Sequence, residues 1–337
     1  MKRFFLFILI LLPLSLSGIS VEKGNLKVVA DDETGGYLCY ARLSDQSPWY
    51  PLYVESFTSS YIQLKLNDEN VFPGGSPDYD LRFDQVHDSL SIIYEGSEIL
   101  LIEKISLSQD IKGTAFFDIE ISAQNIGDDS VELGLKKVID TAFMRGETHF
   151  IVNSEAVLEE KAFEGGEIPS VLLSPGDSPG ERLYVHSDRE ANMSLDRLLL
   201  ANWNRLDREE WDYTPEEGTN FNALPFSIND SALGFYWLPT ALIRGETVYT
   251  GLALGPSDFT GEGEKIELPQ ETQVYIPADP ALARLHVDEQ LAYLELFLAD
   301  LEELLDKEDG LSNEEILSLE ERLEMLEQER REYEKLR

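Results

Sequence analysis

Residues 115–123 read Ala-Phe-Phe-Asp-Ile-Glu-Ile-Ser-Ala, and their alternation decides the fold class. Phe117, Ile119 and Ile121 fall on one side of an extended chain, and Asp118, Glu120 and Ser122 fall on the other. A period of two with one apolar side marks a half-buried antiparallel strand, one face on a core and one on water. Asn125-Ile126-Gly127-Asp128-Asp129 then turns the chain into Val131-Glu132-Leu133-Gly134-Leu135.

Outward from this hairpin, Tyr61–Leu66, Ser89–Tyr94 and Ile99–Leu107 are further strand-like runs separated by Gly, Pro, Asn and Asp. No helix-period segment alternates with them, which argues against a parallel α/β sheet. The reading is mainly β: a large antiparallel β-sandwich, supersandwich-like, over residues 18–278. That length is near the upper end for one hydrophobic core. No repeat of propeller or solenoid spacing is evident. Asp68–Asp80, Glu164–Glu181 and Gly255–Lys265 read as loops, the middle one as a surface excursion or a lid.

Both ends differ from this body. Lys2 and Arg3 precede the apolar run Phe4–Leu16, and Ser15-Leu16-Ser17 supplies small residues for cleavage. This is the pattern of a signal peptide, residues 1–17, and it predicts an exported, periplasmic chain. The run is shorter than the roughly 20 residues of a spanning helix, and no membrane span is expected after cleavage. Residues 279–337 carry Val287, Leu291, Leu294, Leu298, Leu301 and Leu305 at alternating spacings of four and three. Gly310 ends that stripe, Ser312–Glu315 reads as a capping box, and Ile316, Leu319, Leu323, Leu326 and Tyr333 resume it. An antiparallel helical hairpin is the expectation. Its narrow stripes, Leu291 to Leu305 and Ile316 to Leu326, either bury each other, dock on the sandwich, or present a coiled-coil surface to a protein partner in the cell envelope.

Composition narrows the functions. Asp and Glu number 65 against 27 Lys and Arg, a net charge of −38, which excludes binding nucleic acid by phosphate neutralisation. One cysteine excludes a disulfide framework or a cysteine-built metal site, and Cys39, in an alternating run, reads as a buried structural thiol. There is no phosphate-binding glycine loop, no nucleophile elbow and no histidine pair at zinc spacing, so no cofactor and no metal are expected.

Two polar constellations remain. In Asp140–His149, the groups Asp140, Glu147 and His149 either converge on a metal or a proton, or belong to a turn between strands whose backbone Asp140 and Thr141 satisfy. The turn is the favoured reading. In the second, Trp203, Trp211 and Tyr213 interleave with Asn202, Asn204, Asn220 and Asn222. Such a set either makes a sugar platform or pins a long connection to the sandwich with buried aromatics, and the second is favoured. Trp237 reads as core.

Trp203–Leu206, Asn220–Ile228, Asp230–Leu233 and Arg244–Thr247 together resemble a family of exported bacterial β-sandwich proteins that end in an acidic helical hairpin. The Ile139–Thr141 turn and the Pro51–Ser59 stretch resemble it too. That resemblance implies a periplasmic protein, with the flagellar motor collar as one setting, and it transfers no catalytic residues. The expectation is a non-enzymatic scaffold or assembly protein. Its alternative is a carbohydrate-binding or mutarotase-like carbohydrate-active protein. A cation-binding surface protein is a third class, without an EF-hand or acidic repeat to support it.

Overall fold

The computed structural model describes residues 19–42, 44, 46–109, 115–141, 150–153, 155–174, 182–187, 191–208, 211–222 and 230–257. The signal segment 1–17 and the hairpin segment 279–337, with its leucine and isoleucine stripes, lie outside these residues.

The chain opens with a meander of four strands: β1 (Ile19–Lys23), β2 (Leu26–Ala30), β3 (Tyr37–Ala41) and β4 (Tyr50–Pro51). There follow β5 (Tyr61–Leu66), β6 (Glu69–Val71), β7 (Asp80–Val86), β8 (Ser89–Glu95), β9 (Ile99–Gln109), β10 (Ala115–Asn125) and β11 (Val131–Asp140). Then come β12 (Phe150–Val152), β13 (Glu155–Val157), β14 (Lys161–Glu164), β15 (Val171–Ser174), β16 (Arg182–His186) and β17 (Arg197–Asn202). Helix α1 (Trp203–Arg208), β18 (Ser231–Leu242) and β19 (Thr247–Ser257) complete the described chain.

Three sheets result. Beside the small meander there is a nine-stranded sheet, β13-β12-β15-β16-β19-β10-β9-β8-β7, and a six-stranded sheet, β14-β17-β18-β11-β5-β6. The paired strands run antiparallel, as the alternation predicted. Phe117, Ile119 and Ile121 on β10 are at most 1% exposed and point to the inter-sheet core, with Leu64 of β5, Leu90 of β8, Leu135 of β11 and Trp237 of β18. Full burial of a side chain such as Phe117 contributes about 1.5–3 kcal/mol. Val28 and Cys39 of the meander belong to the same core, so the meander and the six-stranded sheet together cover the inner face of the nine-stranded one.

The turn after β10 is held by one buried side chain. Asn125 Nδ2 donates to the carbonyls of Asp129 (2.8 Å) and Leu242 (2.9 Å), and its Oδ1 accepts from Gly127 N–H (3.0 Å). Two of the three expected loops contain strands. Asp68–Asp80 holds β6, and Glu164–Glu181 holds β15, which pairs with β12 and β16. The third begins inside β19, which runs to Ser257. Among the described residues α1 is the one α-helix, and no helical hairpin or coiled coil is seen.

One ion pair lies inside this core. Lys137 Nζ of β11 and Glu103 Oε1 of β9 are 2.8 Å apart, both side chains at most 3% exposed, and Tyr37 OH of β3 donates to the same carboxylate oxygen at 3.3 Å. The three sheets thus meet on one carboxylate. Burial pushes the neighbouring Cys39 thiol up to about 12, and burial also raises the hydroxyls of Tyr37, Tyr53 and Tyr94 well above their usual range. The folded state therefore favours the protonated forms. Stability is intact below pH about 9 and falls as the pH rises toward 12. Thiol-reagent titration is expected to find Cys39 silent in the native protein, with reaction and tyrosinate absorbance appearing together on alkaline unfolding. Rapid labelling of Cys39 in the native protein at pH 8 would contradict the burial.

Candidate functional site

The aromatics of the Trp203–Tyr213 stretch are turned inward, the packing reading that the sequence favoured over a sugar platform. The chain leaving β17 enters α1 and returns across the outer face of the six-stranded sheet as a strap. Its Leu206, Trp211 and Tyr213 form a second small core with Val138, Leu199 and Tyr236. Trp211 is 5% exposed and meets the Tyr236 ring edge-on at 5.7 Å. It lies on Gly134 at the bulge of β11, where a Cβ would come within 2.9 Å of the indole. Half-buried Trp203 donates its indole N–H to the Ser59 carbonyl at 2.8 Å.

The amides of the same stretch are consumed internally around Glu160. Its Oε1 accepts from Asn202 N–H (2.6 Å) and Arg205 Nη1 (2.8 Å), and its Oε2 accepts from Thr219 (2.9 Å) and Tyr213. Arg205 also donates to the carbonyls of Asn220 and Asn222, and Asn202 to that of Phe221. Burial first, then the Glu160 charge, raises the Tyr213 hydroxyl. This is a connection pinned to the sandwich. Glu160→Gln is expected to lower stability by about 1.5–3 kcal/mol, the scale of a hydrogen bond to a charged group. Chemical denaturation measures it, with faster proteolysis within 203–222 as the local sign. An unchanged midpoint would mean the strap does not depend on that charge.

Asp140 ends β11 at 4% exposure. Its N–H donates to Ser60 Oγ (3.0 Å) and its carbonyl accepts from Val54 N–H (3.0 Å). Thr141 donates both N–H and hydroxyl to the Ser231 carbonyl at 2.9 Å. Both residues are therefore tied into neighbouring segments. Glu147 and His149 lie outside the described residues. Among the described residues no group of three His, Cys, Asp or Glu is placed to hold a metal ion.

A different set assembles on the outer face of the nine-stranded sheet. Strand β19 reads Gly251-Leu252-Ala253-Leu254-Gly255, leucines inward and small residues outward. It lies between β16 and β10, and the registers put His186, Ala253 and Asp118 in one row and Tyr184 opposite Gly255 in the next, where Phe116 of β10 lies beside that glycine. Side chains directly opposite in an antiparallel pair share a face. Val185, Leu254 and Phe117 are inward, so these six are outward. Ala253 and the glycines make a low floor, with Tyr184 and His186 along one side and Phe116 and Asp118 along the other. A Cβ on Gly255 would lie 3.3 Å from Phe116 Cβ, so the floor admits little more than hydrogen there.

His186 and Asp118 are two strand spacings apart, about 10 Å between Cα atoms, enough to admit a sugar ring. All four flanking side chains are half-buried, and the Tyr184 and His186 rings lie 6.4 Å apart, tilted by 34°. Among the described residues the buried His186 Nδ1 atom has no hydrogen-bond partner. The trough thus offers ring faces, a carboxylate and an imidazole. None of the four has a local motif. The signal in the sequence was the Gly-Leu-Ala-Leu-Gly alternation, since glycines within a strand mark places of close approach to the backbone.

No protein-family model matches the chain, and no curated protein matches it. Among solved structures it is similar to a putative aldose 1-epimerase from Escherichia coli K12, at 10% identity over 71% of this chain and 98% of that one, TM-score 0.46. It is also similar to a galactose mutarotase related enzyme from Lactobacillus acidophilus, at 8% identity over 74% and 100%, TM-score 0.46. An aldose epimerase homologue from C. elegans is similar at 10% identity over 71% and 98%, TM-score 0.40.

These are not flagellar collar proteins, and the resemblance drawn from Trp203–Leu206 and Asn220–Ile228 is corrected accordingly. The physical reason is in the strap: Arg205, Asn220 and Asn222 of those stretches bond to one another and to Glu160, which is internal packing and no mark of an assembly role. The non-enzymatic scaffold reading is corrected with it. The solved structures that the chain is similar to are described as aldose epimerase and mutarotase-like proteins, which favours the carbohydrate-active alternative over a scaffold.

Proposed function

We propose that the chain is a carbohydrate-active protein of supersandwich type that works at the anomeric centre of an aldose, in the trough across β16, β19 and β10. The observation that carries this reading is the row His186–Ala253–Asp118, a proton-transferring group on either side of a low floor. Tyr184 and Phe116 supply apolar ring surface for the C–H faces of a sugar.

Interconversion of anomers needs two groups. A base takes the proton of the anomeric hydroxyl while an acid gives a proton to the ring oxygen, and the C1–ring-oxygen bond opens to the free aldehyde. After rotation about C1–C2 the ring oxygen attacks the other face, the aldehyde oxygen regains a proton and the acid recovers its own. Asp118 as base and His186 as acid satisfy this demand, and because the reaction is reversible the same pair serves both directions. The leader pattern of residues 1–17 supports export, so the substrate would be met in the envelope.

Polarimetry of freshly dissolved α-anomers of glucose, galactose and other aldoses, with and without the purified chain, tests the proposal. Acceleration proportional to protein concentration supports it. Rates equal to buffer across the aldose set would overturn it.

A further inference from the structure

The trough does not end at Asp118. The registers continue its rows across the rest of the nine-stranded sheet: Asp118 to Ser106 of β9 and Ser89 of β8, and Glu120 to Lys104, Ser91 and Asp84 of β7. Ser106 Oγ and Ser89 Oγ are 2.9 Å apart, and Ser89, Ser91, Lys104 and Ser106 are all half-buried on this face. From β16 to β7 there are five strand spacings, about 24 Å, along which Asp118, Ser106 and Ser89, and beside them Glu120, Lys104, Ser91 and Asp84, form two polar rows bordered by Ile102, Ile93 and Val86. A single sugar ring would use only the end at β16, β19 and β10.

Resting on the trough reading above, we infer that the site takes the end of an uncharged glycan chain several sugars long. Its reducing-end ring lies over Ala253, and the following rings cross β9 and β8 toward β7. The chemistry of the surface selects the class. Hydroxyls and carboxylates bond sugar hydroxyls in either direction of donation. Beyond the trough the face carries Glu120, Asp84, Asp80 and Glu95 against Lys104 and Arg82, and Arg82 is bound to Glu95. With a chain charge of −38 behind it, that face repels polyuronates and phosphorylated glycans. Serine hydroxyls and paired charges leave no requirement for a charged ligand.

The test compares cellotetraose, maltotetraose and the chitin tetrasaccharide with glucose and N-acetylglucosamine by titration calorimetry, on the wild-type chain and on Ser91→Tyr. Ser91 lies outside the trough, and its replacement fills the path of the third or fourth ring. One neutral tetrasaccharide is expected to bind at least tenfold tighter than its monosaccharide, with little dependence on salt. Ser91→Tyr is expected to abolish that advantage and leave monosaccharide binding within twofold. Equal affinity for tetrasaccharide and monosaccharide overturns the extended path while the trough reading stands. So does a tetrasaccharide advantage that survives in Ser91→Tyr. Tighter binding of tetragalacturonate than of every neutral chain overturns the ligand class. Absence of binding by every sugar removes the trough reading and this inference with it.

Discussion

Lys137→Met lowers the free energy of unfolding by about 3–5 kcal/mol, because it leaves Glu103 charged in the core without its cation. The pair is at most 3% exposed on either side, and after the substitution the hydrogen bond from Tyr37 at 3.3 Å is what remains to the carboxylate. Coulomb attraction across 2.8 Å does not make the intact pair a large net gain, since both ions were taken from water to form it. The asymmetry therefore lies between single and double replacements. Glu103→Leu with Lys137→Met removes both charges and is expected to recover most of the loss. Urea denaturation of the three variants decides the matter. Equal penalties for single and double variants would mean that side-chain volume, and not charge, is what the site requires.

On the proposed mechanism, His186→Ala and Asp118→Asn are each expected to lower anomer interconversion by about 10²- to 10⁴-fold, the usual span for a lost general acid or base. Both side chains stand on the outer face of the nine-stranded sheet, away from the buried Phe117 and Val185, so the variants are expected to melt close to the wild type. Because neither change touches the ring surfaces of Tyr184 and Phe116, KM should move less than kcat. Ser122→Ala, on the same face of β10, is the control and leaves the rate unchanged. Folded variants that keep wild-type rates would remove the assigned roles.

The strands and the site differ in how far the sequence shows them. The alternation of Phe117, Ile119 and Ile121 is local, so β10, β5, β8 and β9 could be read from it, and so could the core position of Trp237. The strap could be read as well, because Trp211 and Tyr213 are large, apolar and set among amides that must find partners. Lys137 and Glu103 could not. Each interrupts an apolar face, and only the inter-sheet geometry shows that they meet. The trough was hidden for a related reason. Asp118 looks like any polar residue on a solvated strand face, and His186 sits in a short strand with no motif. What unites them is β19, the last described strand, and its place between β10 and β16 is a non-local pairing that no spacing rule reveals. The loops that held β6 and β15 were misjudged because Gly and Pro nearby outweighed runs of three and four strand residues.

The late arrival of β19 also governs how the molecule can be made. Until residues 247–257 leave the ribosome, β10 and β16 each present an open edge of unsatisfied amides and carbonyls. The large sheet therefore waits as two halves from the synthesis of β16 until that of β19, a state exposed to mispairing with other nascent chains. A stop codon before Thr247 would yield aggregate instead of a shortened sandwich, and refolding from urea should be slow because the closing step joins distant parts of the polypeptide.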